Sequence, residues 1–323
     1  MKALVVSELI GPKGMDLVEV PEPTGGGRVL IDVHAAGVCY PDLLMTYGRY
    51  QLRPKPPFTP GAELAGVVAS APDGSGFHRG QKVVAVRMEG GCFAERVAIE
   101  PAMVAPLPGD LDFAEGAALV VNHYTVLFAL RNRIRLEAGQ TLLVLGAAGG
   151  IGSAAVQVGK ALGARVIAVA RRTGTADFLR GLGADEVVAL ADGWAARVRE
   201  LTGGAGVDAV VDPVGGTAFD NAVRILAPGG NLLVLGFAGG DIPRVKVNRL
   251  VLRNVSVVGV AWGEHMQRLP GALGEASAVI AGLVESGAVR PLVAARYPLS
   301  EGRRALLDLE EGKIVGKAVL EVG

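Results

Sequence analysis

The sequence has few cysteines, no excess of charge of either sign and no long apolar run. Its 323 residues include two cysteines, Cys39 and Cys92, too few for a disulfide framework or a four-ligand structural zinc site. Lys plus Arg and Asp plus Glu each number 32, so the formal net charge is zero. This balance leaves no excess of positive charge to attract nucleic acid or an anionic membrane, and we expect neither as a partner.

Long apolar segments are also missing. A membrane span needs about 18 residues with few or no charges, and every apolar run here is interrupted sooner by glycine or charge. Polar residues follow Met1 too early for a signal peptide, so we expect a reducing, cytoplasmic setting. Half of the residues are hydrophobic, which is ample for a large core in one large or two ordinary domains.

Residues 141–172 carry the most informative pattern. Thr141–Gly146 is a short apolar run, typical of a strand buried on both faces. A glycine-rich turn follows, then an Ala-rich helix over 153–162 and a second buried strand, Arg165–Ala170. The turn, Gly146-Ala-Ala-Gly149-Gly150-Ile-Gly152, has glycine at every third position, which in this context predicts a dinucleotide-binding loop.

Each glycine of this loop has a predicted task. Gly146 allows the tight turn, Gly149 lets the backbone approach a pyrophosphate, and Gly152 lets the helix pack closely on the strand. Free N–H groups at the helix N-terminus would face the phosphates. The alternative is a glycine-rich turn that binds nothing. The residues expected to contact the cofactor here are Gly146, Ala148, Gly149, Gly150, Ile151 and Gly152.

The end of the second strand indicates which dinucleotide is bound. An NAD site has a carboxylate there for the ribose hydroxyls, whereas this chain has Arg171, Arg172 and Thr173 after Ala170. Two guanidiniums and a hydroxyl suit a 2′-phosphate, so we expect NADPH. The alternative is that both arginines form a solvated strand end.

The pattern of predicted strands and helices changes twice along the chain. Residues 1–120 alternate short β-type runs with Pro/Gly turns, which predicts a mostly antiparallel sandwich or partial barrel. Residues 121–261 alternate strands and helices, which predicts a doubly wound parallel sheet. Residues 262–323 are mixed and end in a strand over 317–322 that we expect to return to the first domain. The predicted fold class is α/β.

Motifs along essentially the whole chain resemble those of the medium-chain dehydrogenase/reductase superfamily, and within it the zinc-independent quinone oxidoreductase branch. The motifs that carry the resemblance are Ala35-Ala-Gly-Val-Cys-Tyr-Pro-Asp42, Gly48-Arg-Tyr50, Pro60-Gly-Ala-Glu-Leu-Ala-Gly66, Val121-Asn-His-Tyr-Thr125, the Gly146–Gly152 loop, Asp212-Pro-Val-Gly-Gly216, Leu235-Gly-Phe-Ala-Gly239 and Gly316-Lys-Ala-Val-Leu320.

The resemblance implies a GroES-like catalytic domain, a Rossmann NADPH-binding domain and an active site in the cleft between them. The catalytic domain would comprise residues 1–120 and 262–323, and the Rossmann domain residues 121–261. It also implies a homodimer made by pairing Rossmann edge strands, for which Val255–Val260 is the candidate.

Zinc enzymes of this superfamily resemble the chain in the same places, and the comparison argues against a metal. Cys39 falls where one zinc-binding cysteine belongs, but Ala62 replaces the histidine of their Gly-His-Glu motif. The histidines present have no metal-ligand spacing, and a catalytic zinc needs about three protein ligands. Cys39 also departs from the asparagine common in the quinone reductase branch. It is either a small buried thiol or a thiol that lines the substrate pocket and that enones could alkylate.

The resemblance implies roles for three catalytic candidates. Tyr50 is either a hydrogen-bond donor to developing charge or an aromatic wall of the pocket. Asn122 and Thr125 would orient the nicotinamide ring, unless Asn122 is a helix cap. Asp42 and Glu63 are expected to hold loops together more than to transfer protons.

Further residues are assigned by position. Tyr40 and Tyr47, with Cys39, are candidates for the substrate pocket. Lys317 is expected near the pyrophosphate, or else on the surface. The ends of the later parallel strands are expected to add cofactor contacts from Asp212, Val214, Gly236 and Phe237.

Without a Lewis acid, alcohol oxidation is disfavoured at neutral pH, whereas hydride transfer to an electrophilic carbon needs only positioning and one donor. The leading hypothesis is therefore an NADPH-dependent reductase of quinones or α,β-unsaturated carbonyls. Two alternatives remain open: an enoyl-thioester reductase, for which Arg49, Arg53 and Lys55 hint at a basic groove, and an NADPH-binding protein without turnover.

Overall fold

The computed structural model describes residues 1–172 and 174–323. The strands are β1 (Lys2–Val6), β2 (Met15–Glu19), β3 (Val29–Val38), β4 (Glu63–Ser70), β5 (Lys82–Val86), β6 (Arg96–Ile99), β7 (Val104–Pro106), β8 (Thr141–Leu145), β9 (Arg165–Ala170), β10 (Glu186–Ala189), β11 (Val207–Asp212), β12 (Leu226–Val234), β13 (Ser256–Gly259), β14 (Val293–Pro298) and β15 (Lys317–Glu321).

The helices alternate with strands mainly in the middle of the chain. They are α1 (Tyr40–Thr46), α2 (Phe113–Ala117), α3 (Val120–Leu127), α4 (Gly150–Ala161), α5 (Ala176–Gly181), α6 (Trp194–Leu201), α7 (Ala218–Arg224), α8 (Asn248–Arg253), α9 (Trp262–Arg268), α10 (Ala272–Glu285) and α11 (Gly302–Glu310). A π-helical turn, Phe128–Arg133, continues α3.

The chain divides into two units. Unit 1 comprises Met1–Tyr124 and Gly263–Gly323, and unit 2 comprises Thr125–Trp262. The divisions fall after residues 124 and 262, where the sequence placed them after 120 and 261. Among the described residues, no helix is long and apolar enough to cross a membrane.

Unit 1 is built on a mostly antiparallel sheet, as predicted. Its strand order is β14-β15-β3-β4-β5-β7, with β6 also paired to β3 and with β1 and β2 in a separate pair. Only the contact of β14 with β15 is parallel among these pairs in the described chain. The last strand, β15, pairs with β3, with Ala318 opposite Val38. The tail of the chain therefore returns to the first sheet.

Unit 2 is the predicted doubly wound sheet. Its strands run in the order β10-β9-β8-β11-β12-β13, and all the pairs are parallel. The chain builds outward from β8 in one direction and then returns to start again at β11. A crevice forms where such a sheet reverses its order, at the carboxyl ends of the two central strands. The site predicted from the glycine loop belongs at this edge.

The structure differs from the sequence pattern in two places. The helix expected from Ser153 begins three residues earlier, at Gly150, because the glycine turn closes directly into the first helical turn with Gly149 as N-cap. Pro228, Gly229 and Gly230, residue types that usually mark turns, lie inside β12. A register shift between Val207 and Ala209 of β11 accommodates them.

Candidate functional site

The glycine loop lies at the reversal point of the parallel sheet. Gly146 follows β8 with φ +60°, a left-handed conformation that favours glycine. A Cβ on Gly146 would lie 2.7 Å from Cγ2 of Val214, in the segment that follows β11. A Cβ on Gly152 would lie 2.2 Å from the carbonyl oxygen of Gly146. The predicted tight turn at Gly146 and close helix packing at Gly152 are therefore confirmed.

Backbone donors at the start of α4 form a potential anion site. The amide of Ser153 donates to the Gly149 carbonyl at 2.8 Å, so the amides of Gly150, Ile151 and Gly152 precede the first intrahelical bond and have no acceptor within the helix. A Cβ on Gly149 would meet only the Gly146 oxygen, at 3.4 Å. The helix dipole adds positive potential at this end, which suits phosphate.

Asp212, the last residue of β11, has one oxygen in use and one without a partner. Its Oδ1 accepts the amides of Val214 and Gly215, each at 2.8 Å. Its Oδ2 is buried and has no hydrogen-bond partner within the part of the chain that the structure describes. Burial raises the pKa of Asp212, although the Gly215 and Val214 amides lower it. Because buried polar atoms are normally paired, this oxygen fits a donor supplied by a bound ligand, such as a ribose hydroxyl.

The segments after β11 and β12 are joined by backbone hydrogen bonds. Amides of Leu235, Ala238 and Gly239 donate to the carbonyls of Asp212, Pro213 and Val214, at 2.8–3.1 Å. A Cβ on Gly215 would lie 3.1 Å from Cδ1 of Phe237, whose side chain is partly exposed. The structure thus brings Val214, Gly236 and Phe237 together with the glycine loop at one edge of the sheet. Their contact with a cofactor stays a prediction.

Arg171 and Arg172 directly follow β9 at the same edge, and Arg171 is exposed. The hydroxyl of Thr175 donates to the Arg172 carbonyl at 3.0 Å. Thr173, whose hydroxyl completed the predicted 2′-phosphate site, lies outside the described residues. The free amides, the open face of Gly149 and the unpaired Asp212 oxygen together fit a dinucleotide.

Unit 1 contains a buried cluster formed by Cys39, Asp42, Glu63 and Lys317. Lys317 Nζ lies 2.5 Å from Glu63 Oε1 and 3.0 Å from Cys39 Sγ. The Cys39 thiol also contacts Glu63 Oε1, at 3.1 Å. Three adjacent strands, β15, β3 and β4, bring these groups to one end of the sheet. Removing one partner of such a buried ion pair typically costs about 3–5 kcal/mol, because the other charge is left unpaired.

The protonation states in this cluster follow from burial and charge. Burial raises the pKa of the Cys39 thiol well above its usual range, and the charge of Glu63 adds to this. Burial acts to lower the pKa of Lys317, but its contacts with Cys39 and with the carboxylate of Glu63 raise it overall. Since a thiol with a raised pKa is neutral at pH 7, Glu63 is the partner that keeps Lys317 charged.

The carboxylate of Asp42 accepts two backbone hydrogen bonds at the N-terminus of α1. Its Oδ2 accepts the Cys39 amide at 2.8 Å, and its Oδ1 accepts the Gly61 amide at 3.2 Å. Burial raises the pKa of this carboxyl to about 7, more than these hydrogen bonds and Lys317 lower it. Both oxygens are occupied by backbone donors, which agrees with the expectation that Asp42 holds loops together.

Tyr50 is half-buried and remains a hydrogen-bond donor. Gln51 Nε2 donates to the Tyr50 hydroxyl oxygen at 3.3 Å, which leaves the phenolic hydrogen available. Burial raises the pKa of Tyr50, and negative charge on Asp42 raises it further. The hydroxyl is therefore neutral at physiological pH. Its role as a donor or as a pocket wall stays a prediction.

The structure bears on three predicted assignments. Lys317 is 5% exposed, so it is not a surface lysine, and its ammonium is paired with Glu63 instead of standing open to a pyrophosphate. Cys39 is 4% exposed and hydrogen-bonded, which favours the buried thiol over a reactive pocket residue. The Tyr47 hydroxyl donates to Glu310 Oε1 at 2.8 Å, and its ring packs on the core. Tyr47 therefore ties α1 to α11.

Asn122 and Thr125 both lie on α3, three positions apart and therefore on one helical face. Because α3 begins at Val120, Asn122 lies inside the helix, and the alternative that it is an N-cap is wrong. Tyr40 is the first residue of α1 and packs against the core of unit 1. Its place in a substrate pocket stays a prediction, as do the roles of Asn122 and Thr125.

Ala62 is fully buried beside Glu63. Within residues 1–172 and 174–323, no group of three or more His, Cys, Asp or Glu side chains could hold a metal ion. The prediction that the reaction uses no metal is not tested by this observation.

Sequence reasoning missed the pairing of Lys317 with Glu63. Their separation along the chain hides it, and only the register of β15, β3 and β4 reveals it.

Comparisons with known proteins agree with this architecture. Residues 25–109 match the family model described as alcohol dehydrogenase GroES-like domain, and residues 150–278 match that described as zinc-binding dehydrogenase. The chain is 32% identical to quinone oxidoreductase-like protein 2 of Rattus norvegicus over 324 residues, which cover 99% of this chain and 92% of the relative.

Solved structures extend the likeness. A "probable oxidoreductase" from Mycobacterium abscessus is 53% identical, with a TM-score of 0.92 over 99% of this chain and 98% of the other. The quinone oxidoreductase of Thermus thermophilus, whose complex with NADPH is also known, is 34% identical, with a TM-score of 0.86 over 99% and 100% of the two chains. With its GroES-like and Rossmann units, the chain belongs to the medium-chain dehydrogenase/reductase superfamily and is quinone oxidoreductase-like.

Proposed function

We propose that this chain is an NADPH-dependent reductase that transfers hydride to quinones or α,β-unsaturated carbonyl compounds without a metal. The observation that supports NADPH binding is the glycine loop at the reversal point of the parallel sheet. Free amides at the start of α4 and the unpaired Asp212 oxygen lie beside this loop. The names of the similar proteins, quinone oxidoreductases among them, support the acceptor half.

The residues of unit 2 bind and orient the cofactor in this mechanism. The amides of Gly150, Ile151 and Gly152 donate to the pyrophosphate, and Asp212 Oδ2 accepts a ribose hydroxyl. Arg171 and Arg172 bind the 2′-phosphate with charge-assisted hydrogen bonds, each contributing about 1.5–3 kcal/mol. When bound, NADPH supplies a hydride to an electrophilic carbon.

The remaining task is to stabilise the negative charge that develops on the acceptor oxygen. Tyr50 donates a hydrogen bond to that oxygen, since its hydroxyl is neutral and has a free hydrogen. Asn122 and Thr125 orient the nicotinamide ring with amide and hydroxyl groups. A proton from Tyr50 or water completes the reduction.

An NADPH-oxidation screen tests the proposal. Quinones, enones, 2-alkenals and enoyl-CoA thioesters would be compared by kcat/KM at saturating NADPH. We expect turnover with quinones or enones above that with enoyl-CoA. Preference for enoyl-CoA would favour the enoyl-thioester alternative, and measured NADPH binding without turnover of any acceptor would favour a binding protein.

We also propose a homodimer formed through β13. This strand pairs with β12 and ends the sheet order of unit 2 among the described strands, and unpaired edges invite pairing with another chain. Exposed apolar side chains lie nearby on and before α8, namely Val247, Val251 and Leu252. Light scattering should give the mass of two chains, and the double substitution of Val251 and Leu252 by Asp should give one. A wild-type monomer would contradict this assignment.

The cytoplasmic setting stays a prediction from the sequence.

A further inference from the structure

The carboxylate of Glu63 contacts two different parts of unit 1. Its Oε1 is bound by Lys317 Nζ at 2.5 Å, and its Oε2 accepts the Val121 amide at 2.6 Å. Val121 is the second residue of α3, so this amide is one of the donors that have no acceptor within the helix. A carboxylate at this end is also favoured by the helix dipole. Glu63 therefore caps the helix that carries Asn122.

The side chain of Glu63 packs closely against Gly37 of β3. A Cβ on Gly37 would lie 2.4 Å from Glu63 Oε1 and 2.3 Å from the carbonyl oxygen of Ala117, the last residue of α2. Glu63 itself is fully buried. The carboxylate is thus confined between β3, the end of α2 and the start of α3. Any change in its position is passed on to the first turn of α3.

Lys317 fixes the remaining freedom of this carboxylate. Its ammonium pairs with Glu63 Oε1, and Cys39 Sγ contacts both groups, at 3.0 and 3.1 Å. Lys317 is the first residue of β15, whose neighbour in the sheet is β3. The ion pair is therefore held by the sheet, whereas the group that it orients is the start of a helix.

We propose that Lys317 and Glu63 are positioning residues for the reductase reaction, in which the ion pair holds the first turn of α3 and so sets the orientation of Asn122. This inference rests on the proposed function for its kinetic consequence. The placement of α3 can be measured without it. Neither residue touches the reacting atoms, and neither belongs to the glycine loop or to the arginines proposed to bind the phosphates, so we expect the variants to bind NADPH.

The test compares Lys317→Met, Lys317→Arg, Glu63→Gln and the double variant Lys317→Met/Glu63→Gln. Lys313→Met is the matched control, because Lys313 pairs with Asp308 and Glu311 on the exposed surface of the same unit. Lys317→Met should lower kcat by about tenfold to a hundredfold, the effect of a misplaced catalytic group, with an unchanged KM for NADPH. Lys317→Arg should restore most of kcat, and the double variant should be no worse than either single one.

Amide hydrogen exchange gives the second readout. The peptide that contains Val121 should exchange faster in Lys317→Met and Glu63→Gln than in the wild type, and Lys313→Met should match the wild type. Circular dichroism shows whether each variant is folded. NADPH titration gives the number of binding sites, so that kcat is expressed per site. An unchanged kcat per site, a raised KM for NADPH alone, or unchanged exchange at Val121 would overturn the inference. If the wild type reduces no acceptor, the proposed function fails, and the exchange rate alone decides whether the ion pair holds α3.

Discussion

The carbonyl oxygen of Gly146 lies 2.2 Å from the position that a Cβ on Gly152 would occupy. Because this oxygen belongs to the backbone, it cannot yield to the Cβ without moving the loop. Gly152→Ala should therefore cost about 1–3 kcal/mol of stability by overpacking and weaken NADPH binding, because the free amides at α4 shift with the loop. Thermal unfolding and a fluorescence titration with NADPH measure both effects.

Gly181→Ala provides the control for this substitution. Gly181 lies in α5, and a Cβ there would meet no atom within 4 Å. Alanine is the better helix former, so this variant should keep its affinity for NADPH and be equally or slightly more stable. If Gly152→Ala behaves like Gly181→Ala, the loop does not hold the cofactor by its close packing.

The hydroxyl of Tyr50 gives the second prediction. Tyr50→Phe should lower kcat by about a hundredfold, as expected when one donor to a developing oxyanion is removed, and leave the dissociation constant of NADPH unchanged. Because the pKa of Tyr50 is raised, the donor is present below that pKa and lost above it. The wild-type kcat should stay level through neutral pH and fall only in alkaline solution. Tyr297→Phe, which removes a hydroxyl bound to Asp308, is the control. A Tyr50→Phe enzyme with the kcat of the wild type would make Tyr50 a wall of the pocket.

The third prediction concerns the choice of cofactor. Arg172→Ala should raise KM for NADPH by about tenfold or more, the loss of one charge-assisted hydrogen bond, with a much smaller change for NADH. Arg180→Ala, which removes an exposed arginine paired with Asp177, should change neither value. Initial rates with both cofactors give the comparison. Equal effects of Arg172→Ala on NADPH and NADH would remove the 2′-phosphate assignment.

The fourth prediction follows from Asp42. Burial raises its pKa from 3.8 to about 7 in the folded protein, so the folded state holds a proton that the unfolded state releases over this interval. The contribution of this group to stability is therefore greatest below the unfolded pKa and declines, by about 1.4 kcal/mol per pH unit, as the pH rises toward the folded pKa.

Asp42→Asn removes this decline. Asparagine keeps one acceptor for the amides of Cys39 and Gly61 and loses the other, so the variant should be less stable than the wild type at low pH and approach it as the pH rises. Urea unfolding across a pH series measures the difference. Asp73→Asn, on an exposed turn, should follow the wild type at every pH. Parallel curves for the wild type and Asp42→Asn would show that Asp42 does not titrate in this range.

The parallel sheet and its loop could be predicted because the signals are local. The strands β8, β9 and β11 of unit 2 are almost entirely buried apolar runs, and the roles of Gly146 and Gly152 follow from backbone geometry within one turn. By contrast, β2 is exposed at four of its five positions and has no alternating pattern to reveal it. The short helix α8 has no buried residue.

The cluster in unit 1 could not be predicted because it depends on strand register. Lys317 and Glu63 belong to strands far apart in the sequence, and only their pairing with β3 places the two charges together. An isolated lysine near the end of a chain looks like a surface residue. Likewise, the contact of Tyr47 with Glu310 joins two helices 263 residues apart, and nothing in the sequence near Tyr47 indicates it.

Hydride transfer from bound NADPH is tested most directly by a single-turnover experiment. The protein, saturated with NADPH that carries hydrogen or deuterium at the transferable C4 position, is mixed with a quinone or an enone, and NADPH oxidation is followed by absorbance. The account predicts complete oxidation of the bound NADPH, slowed by the deuterium. Bound NADPH that stays reduced with every acceptor, or oxidation at a rate that deuterium does not change when chemistry is the observed step, would contradict it.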